Sequence, residues 1–133
     1  MRIEEDRSKI IYAELSYKLN GVLYEAQNRL GRFCREKQYG DIIETLLKQA
    51  KILYEREIKL PFNGIDNQNT NKVDFTIDSK ILLDIKAKNF ITREDYNQMK
   101  RYLRAANKKL GVIVNFHELA IHPRRVINSE AKE

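Results

Sequence analysis

The sequence predicts an α/β protein with a mixed β-sheet flanked by helices, in the order α-α-β-β-β-α-β-β. Three observations lead there. Apolar residues recur at steps of 3 and 4 over residues 8–30, 34–50 and 92–106, the period of a helix face. Between 54 and 87, and again at 110–114, they alternate or run unbroken in short segments, as strands do. No repeat, low-complexity tract or linker divides the 133 residues, so one domain with a core over about residues 10–128 is expected.

The first helix carries Ile11, Leu15, Leu19, Val22, Ala26 and Leu30 on one face, with Ser8 as a candidate cap and Leu30-Gly31 as a stop. Gly21 lies inside it, where a close helix contact would explain it. The second helix, Cys34 to Ala50, presents Tyr39, Ile42, Ile43, Leu46, Leu47 and Ala50. The period then changes. Tyr54, Arg56, Ile58 and Leu60 alternate with Glu55, Glu57 and Lys59, predicting a strand that Pro61 ends. Residues 62–71 are turn-formers. Val73, Phe75 and Ile77 alternate with Asp74, Thr76 and Asp78, which places the acid opposite the apolar set. Ile81 to Ala87 reads as a central strand. Thr92 and Asp95 resemble a capping pair before a helix whose face holds Tyr96, Met99, Leu103 and Ala106. Leu110 to Val114 is a buried strand. A short strand at Leu119–Ile121 precedes Pro123, and the closing NSEAKE reads as frayed.

The formal net charge of +6 favours polyanionic partners such as nucleic acid, although a merely basic surface gives the same number. The single cysteine, Cys34, allows no internal disulfide and fits a reducing compartment. No apolar run approaches a membrane span, and residues 1–9 lack the apolar stretch of a signal peptide, so a cytoplasmic protein without membrane contact is expected.

Asp74, Asp84 and Lys86 fall within thirteen residues. If Asp78-Ser79-Lys80 is a hairpin loop centred on Ser79, residue 74 stands opposite 84, because 74 + 84 is twice 79. Opposed residues share a face with Cβ atoms ~5 Å apart. Two carboxylates held so repel unless a cation sits between them. Lys86, two residues beyond Asp84, shares that face. The arrangement suits a divalent metal beside an ammonium, which is equipment for phosphodiester chemistry. An exposed salt bridge is the ordinary fate of such a triplet.

The words around this trio resemble a family. Leu30-Gly31-Arg32-Phe33-Cys34-Arg35-Glu36-Lys37-Gln38-Tyr39 is similar to the signature of the GxxExxY proteins, a branch of the PD-(D/E)XK nuclease superfamily. Val73-Asp74-Phe75, Leu83-Asp84-Ile85-Lys86-Ala87, Gln98-x-x-x-Tyr102-Leu103 and Leu110-Gly111-Val112-Ile113-Val114-Asn115-Phe116 resemble its remaining blocks, in order. The likeness runs over about residues 15–128. Phe33 stands where the signature's first glycine would be, Gln27 replaces a usual histidine, and Asp84 replaces a usual glutamate.

The resemblance implies a restriction-endonuclease-like domain that hydrolyses phosphodiester bonds in DNA or RNA with Mg²⁺ or Mn²⁺. Asp74, Asp84 and the Ile85 carbonyl would be metal ligands, and Glu36 would reach the metal directly or through water. Glu36 at a helix start also fits plain dipole stabilisation. Lys86 would hold the attacking water or face the scissile phosphate. A cation beside two carboxylates stays protonated, so it is not the expected base. Gln98 and Tyr102 share a helix face and resemble a motif that lies near the DNA in related nucleases; a solvated Gln with a half-buried Tyr is the plain alternative. Lys100, Arg101, Arg104, Lys108 and Lys109 give that helix and its exit a basic face for phosphates, or simply a solvated one. So small a domain has little surface for gripping a long substrate, which points to a homodimer or a partner. The rival reading is a non-catalytic nucleic-acid-binding or regulatory module on a nuclease fold. His117, His122 and Cys34 lack zinc-like spacing.

Overall fold

A computed structural model describes residues 10–60 and 72–132. The Ser8 cap, Pro61 and the turn-forming stretch 62–71 lie outside the described residues. The elements follow the expected order: α1 (Ala13–Leu30), α2 (Glu36–Gln49), β1 (Tyr54–Lys59), β2 (Lys72–Ile77), β3 (Ile81–Lys86), α3 (Arg93–Ala106), β4 (Leu110–Asn115) and β5 (Arg124–Ile127). The sheet runs β1-β2-β3-β4-β5. Only β3 and β4 are parallel, joined by α3; the other pairs are antiparallel.

Two apolar layers sandwich the sheet. Leu19, Val22, Leu23 and Ala26 of α1 and Tyr39, Ile43, Leu46 and Leu47 of α2 pack on Phe75, Ile77, Ile81, Leu83, Ile85, Val112 and Val114. On the other side Met99, Tyr102 and Leu103 of α3 cover Leu82, Ile113 and Val126. Each large side chain withdrawn from water contributes about 1.5–3 kcal/mol, which holds both helix layers down. In β4, Gly111 lets α3 approach: a Cβ there would collide with the Met99 sulfur. Gly21 has no such reason, since a Cβ would meet nothing within 4 Å; the close helix contact expected of it is absent.

Several boundaries move. β5 lies after Pro123, not at Leu119–Ile121, because Ile121 plugs the α1/α2 layer without pairing and Leu119 is exposed. The C-terminal residues are tied, not frayed: Asn107 and Lys132 exchange two hydrogen bonds of 3.0 and 3.1 Å. The alternation in β2 also breaks. Phe75 and Ile77 enter the α1/α2 layer, whereas Val73 enters the α3 layer. In β1 the same switch separates Arg56, which lies over the Phe75 ring, from Ile58. Between them Glu57 adopts φ +56°, opposite Asp74, for Arg56 pairs Phe75 and Ile58 pairs Val73. A left-handed residue in a strand breaks the two-residue alternation of the pleat, so both strands turn over where the acid stands.

Candidate metal centre

The hairpin register is the expected one. Phe75 pairs Leu83, Thr76 pairs Leu82 and Ile77 pairs Ile81, all centred on Ser79. Asp78 and Ser79 both have positive φ, 52° and 56°, the handedness that follows a sheet's twist into a tight turn. Asp74 therefore faces Asp84. The backbone ladder gives way there, and the Asp74 carboxylate accepts the Ile85 N–H at 2.6 Å. The two carboxyls lie close enough to interact, and the site supplies the reason for keeping a proton on the pair. Burial first, then the Asp84 charge, push Asp74 up to about 8, against the partial opposition of the Ile85 amide.

Asp84 is buried, and its Oδ2 lies 3.0 Å from Lys86 Nζ. Burial alone would lower the Lys86 pKa. The Asp84 charge and hydrogen bond, helped by Asp95 and Glu36, outweigh it and raise it. Lys86 is thus a fixed ammonium and not a base at neutral pH.

Glu36 sits on the exposed first turn of α2. It lines a cleft of about 220 Å³ with Asp74, Ile85, Gly40, Arg56 and Glu57. Its charge reaches both Asp74 and Lys86. The loop before it is pinned by Tyr39, whose hydroxyl donates to the Gly31 carbonyl at 2.5 Å and accepts the Cys34 N–H at 3.3 Å. The Tyr39 ring stacks on Phe116 with centroids 4.2 Å apart. This gives the Gly31, Glu36 and Tyr39 spacing a mechanical purpose: it sets where α2 begins.

Three polar residues support the site without announcing it in the sequence. Asp95 caps α3 by exchanging bonds with Thr92, and its carboxylate also meets Lys88 at 2.6 Å and Lys86 at 3.9 Å. Burial would raise its pKa, but Lys88, the Thr92 amide and Lys86 hold it below the usual carboxylate value. Asn115, fully buried, bonds the N–H and carbonyl of Lys88 at 3.1 and 2.8 Å. Gln27 donates to the Phe116 and Glu118 carbonyls at 3.1 and 2.9 Å, tying α1 to the exit of β4. His117 joins the same junction through Cys34, 3.3 Å from its carbonyl.

Asp95→Asn keeps an oxygen for the Thr92 amide but removes the anion from both lysines. Stability should fall by about 1–2 kcal/mol, and any cleavage rate by roughly tenfold, read by urea unfolding and steady-state kinetics.

The remaining expected residues divide. Tyr102 is buried in the α3 layer, and its pKa is raised by burial and by the Asp84 and Asp74 charges, so it lies within reach of the acidic pair's field. Gln98 is half-buried one turn earlier. Lys100, Arg101 and Arg104 are exposed: Arg101 pairs with Glu94 at 2.7 Å, and Lys100 and Arg104 border a hollow beside Ile127–Glu130. No contact among the described residues links these three to the aspartates. Lys108 bonds the Ser79 carbonyl at 2.7 Å, at the hairpin turn.

Among the described residues no three His, Cys, Asp or Glu side chains converge on one point. Glu36 is therefore not brought into one such group with Asp74 and Asp84. A hard cation keeps several of its waters and needs few protein oxygens. The pair's hold on a proton is the local demand that such a cation would satisfy. No described helix is long and apolar enough to cross a membrane. In comparisons with known proteins, the family model of the PD-(D/E)XK nuclease superfamily matches residues 13–126. No curated protein and no solved structure matches the chain.

Proposed function

This chain belongs to the PD-(D/E)XK nuclease superfamily, and from that premise we propose that it is a metal-dependent nuclease hydrolysing phosphodiester bonds in DNA or RNA. The observation that carries the proposal is the hairpin register that sets Asp74 against Asp84, with the Lys86 ammonium 3.0 Å from Asp84. A retired site has no reason to keep repelling carboxylates together. The ordered words from Leu30-Gly31 to Phe116, with Glu36 and Tyr39 in place, support assignment to the GxxExxY branch.

Asp74, Asp84 and the Ile85 carbonyl would hold Mg²⁺ or Mn²⁺, with Glu36 reaching it directly or through water. Bound there, the cation would relieve charge on the phosphoryl oxygens and lower the pKa of water. Lys86 orients the attacking water or steadies the scissile phosphate, and its charge is fixed by Asp84 and Asp95. Asp95 positions Lys86; Tyr102 walls the acidic pair from the α3 side. Gln98, Lys100, Arg101 and Arg104 are proposed contacts along the nucleic-acid backbone.

The test is purified protein with labelled single- and double-stranded DNA and RNA. Cleavage is expected with Mg²⁺ or Mn²⁺ and none with EDTA. Cleavage that persists in Asp84→Ala would rule out this site. No cleavage of any substrate, with no Mn²⁺ uptake by calorimetry, would favour the non-catalytic module. Because the pair must give up its proton to take a cation, affinity should rise with pH up to about 8.

A further inference from the structure

Two large aromatic rings stand out in solvent at the end of the sheet where the site lies. Phe33 is 84% exposed, in the loop between α1 and α2, and Phe90 is 77% exposed, in the loop between β3 and α3. Isolated exposed apolar residues need no explanation. These two are fastened to one junction. His117 reaches the Cys34 carbonyl, next to Phe33, while Asn115 holds both backbone groups of Lys88, two residues before Phe90. Both loops thus hang from the last residue of β4 and the turn after it. Glu36 lies three residues beyond Phe33, and Lys86 four residues before Phe90. Both loops therefore leave the same end of the sheet, one leading into Glu36 and the other out of Lys86.

The chemistry around them is cationic. Arg32 and Arg35 lie within two residues of Phe33 in the chain, and Lys88 and Arg93 within three of Phe90. The Arg32 guanidinium lies over the Phe33 ring, 5.2 Å from its centroid. Exposed aromatic faces set among cations are how proteins hold unpaired nucleotides: bases stack on the rings while the phosphates meet the charges. A duplex keeps its base faces stacked inward and cannot offer them to a protruding ring. A protein docking surface would want an apolar patch without this ring of charge.

We propose that Phe33 and Phe90 form a base-stacking platform at the site's end of the sheet, and that the preferred substrate is single-stranded nucleic acid. The proposal rests on the nucleic-acid reading above, but its test needs no cleavage. Binding of short labelled single strands, DNA and RNA, and of the matching DNA duplex is followed by fluorescence anisotropy in EDTA. Single strands should bind more tightly than the duplex. Phe33→Ala and Phe90→Ala should each weaken single-strand binding by about tenfold and leave the duplex unchanged. Phe33→Trp and Phe90→Trp should keep the affinity. Leu53→Ala removes an exposed side chain near the hairpin turn, where its carbonyl accepts the Asp78 N–H, and should have no effect. Equal affinity for duplex and single strand would overturn the proposal. So would alanine variants that bind like the wild type, including variants that change only the oligomeric state, which would assign the rings to a contact between copies. These losses in the alanine variants, with a wild type that never cleaves with Mn²⁺, would sustain the platform and sink the nuclease reading alone.

Discussion

Asp74→Asn is expected to make the metal-free protein more stable and, at the same time, inert. Asparagine keeps an oxygen for the Ile85 amide, now 2.6 Å from the carboxylate, and gains an NH₂ that donates to Asp84 without a borrowed proton. The like-charge conflict disappears. The sign follows from proton binding. Asp74 is pushed up to about 8 in the folded chain, while the unfolded carboxylate titrates near 3.8. Between those values the folded state binds the extra proton, so wild-type stability falls as pH rises through the window and the penalty is complete above about pH 8. Asp74→Asn removes it, so the variant's advantage should be negligible at pH 4 and reach about 2–4 kcal/mol at pH 8. Urea unfolding at both values measures this, together with Mn²⁺ titration and cleavage assays, in which the variant should be silent. A variant less stable than the wild type at pH 8 would mean that the carboxyls are not in conflict.

Lys86→Ala is expected to lose catalysis while keeping the cation. Its ammonium neutralises Asp84 and is raised in pKa by that same charge, so it contributes electrostatics and positioning. Removing one preorganised charge of this kind lowers kcat by about 10²–10³. Mn²⁺ affinity should hold or improve, since a competing cation has left the aspartates. The metal-free variant should lose stability, because Asp84 remains buried without its partner, and Mn²⁺ should restore it by mass action. Loss of kcat and metal binding together would instead make Lys86 a structural prop. Kinetics and calorimetry on one preparation separate the two.

The parts of this architecture that repeat locally were legible in the chain. The helix faces of α1, α2 and α3 follow from their apolar steps, and the Ser79 centre of the hairpin is arithmetic once Asp78-Ser79-Lys80 is taken as a loop. The residues that do several jobs were not. Asp95 reads as a cap because Thr92 stands three residues before it, and nothing local says that Lys86 and Lys88 converge on it. Asn115 and Gln27 act on backbone groups 27 and 89–91 residues away. A buried amide bonded over such separations leaves no period in the sequence. β5 leaves no mark because its sequence, Arg124-Arg125-Val126-Ile127, has no apolar alternation and only Val126 is buried, whereas Leu119–Ile121 looks apolar and is not a strand. The reversal at Glu57 has no signal at all: glutamate is an ordinary strand-face residue, and nothing in its neighbours marks the left-handed backbone inside β1.

The central claim is that Asp74 and Asp84 share one divalent cation next to the Lys86 ammonium. A crystal of the protein soaked in Mn²⁺ at pH 8, with anomalous data collected near the manganese edge, tests it most directly. The expected result is one peak within about 2.0–2.3 Å of a carboxylate oxygen from each aspartate and of the Ile85 carbonyl, with water completing the shell. A peak elsewhere, or none at all, would contradict the claim.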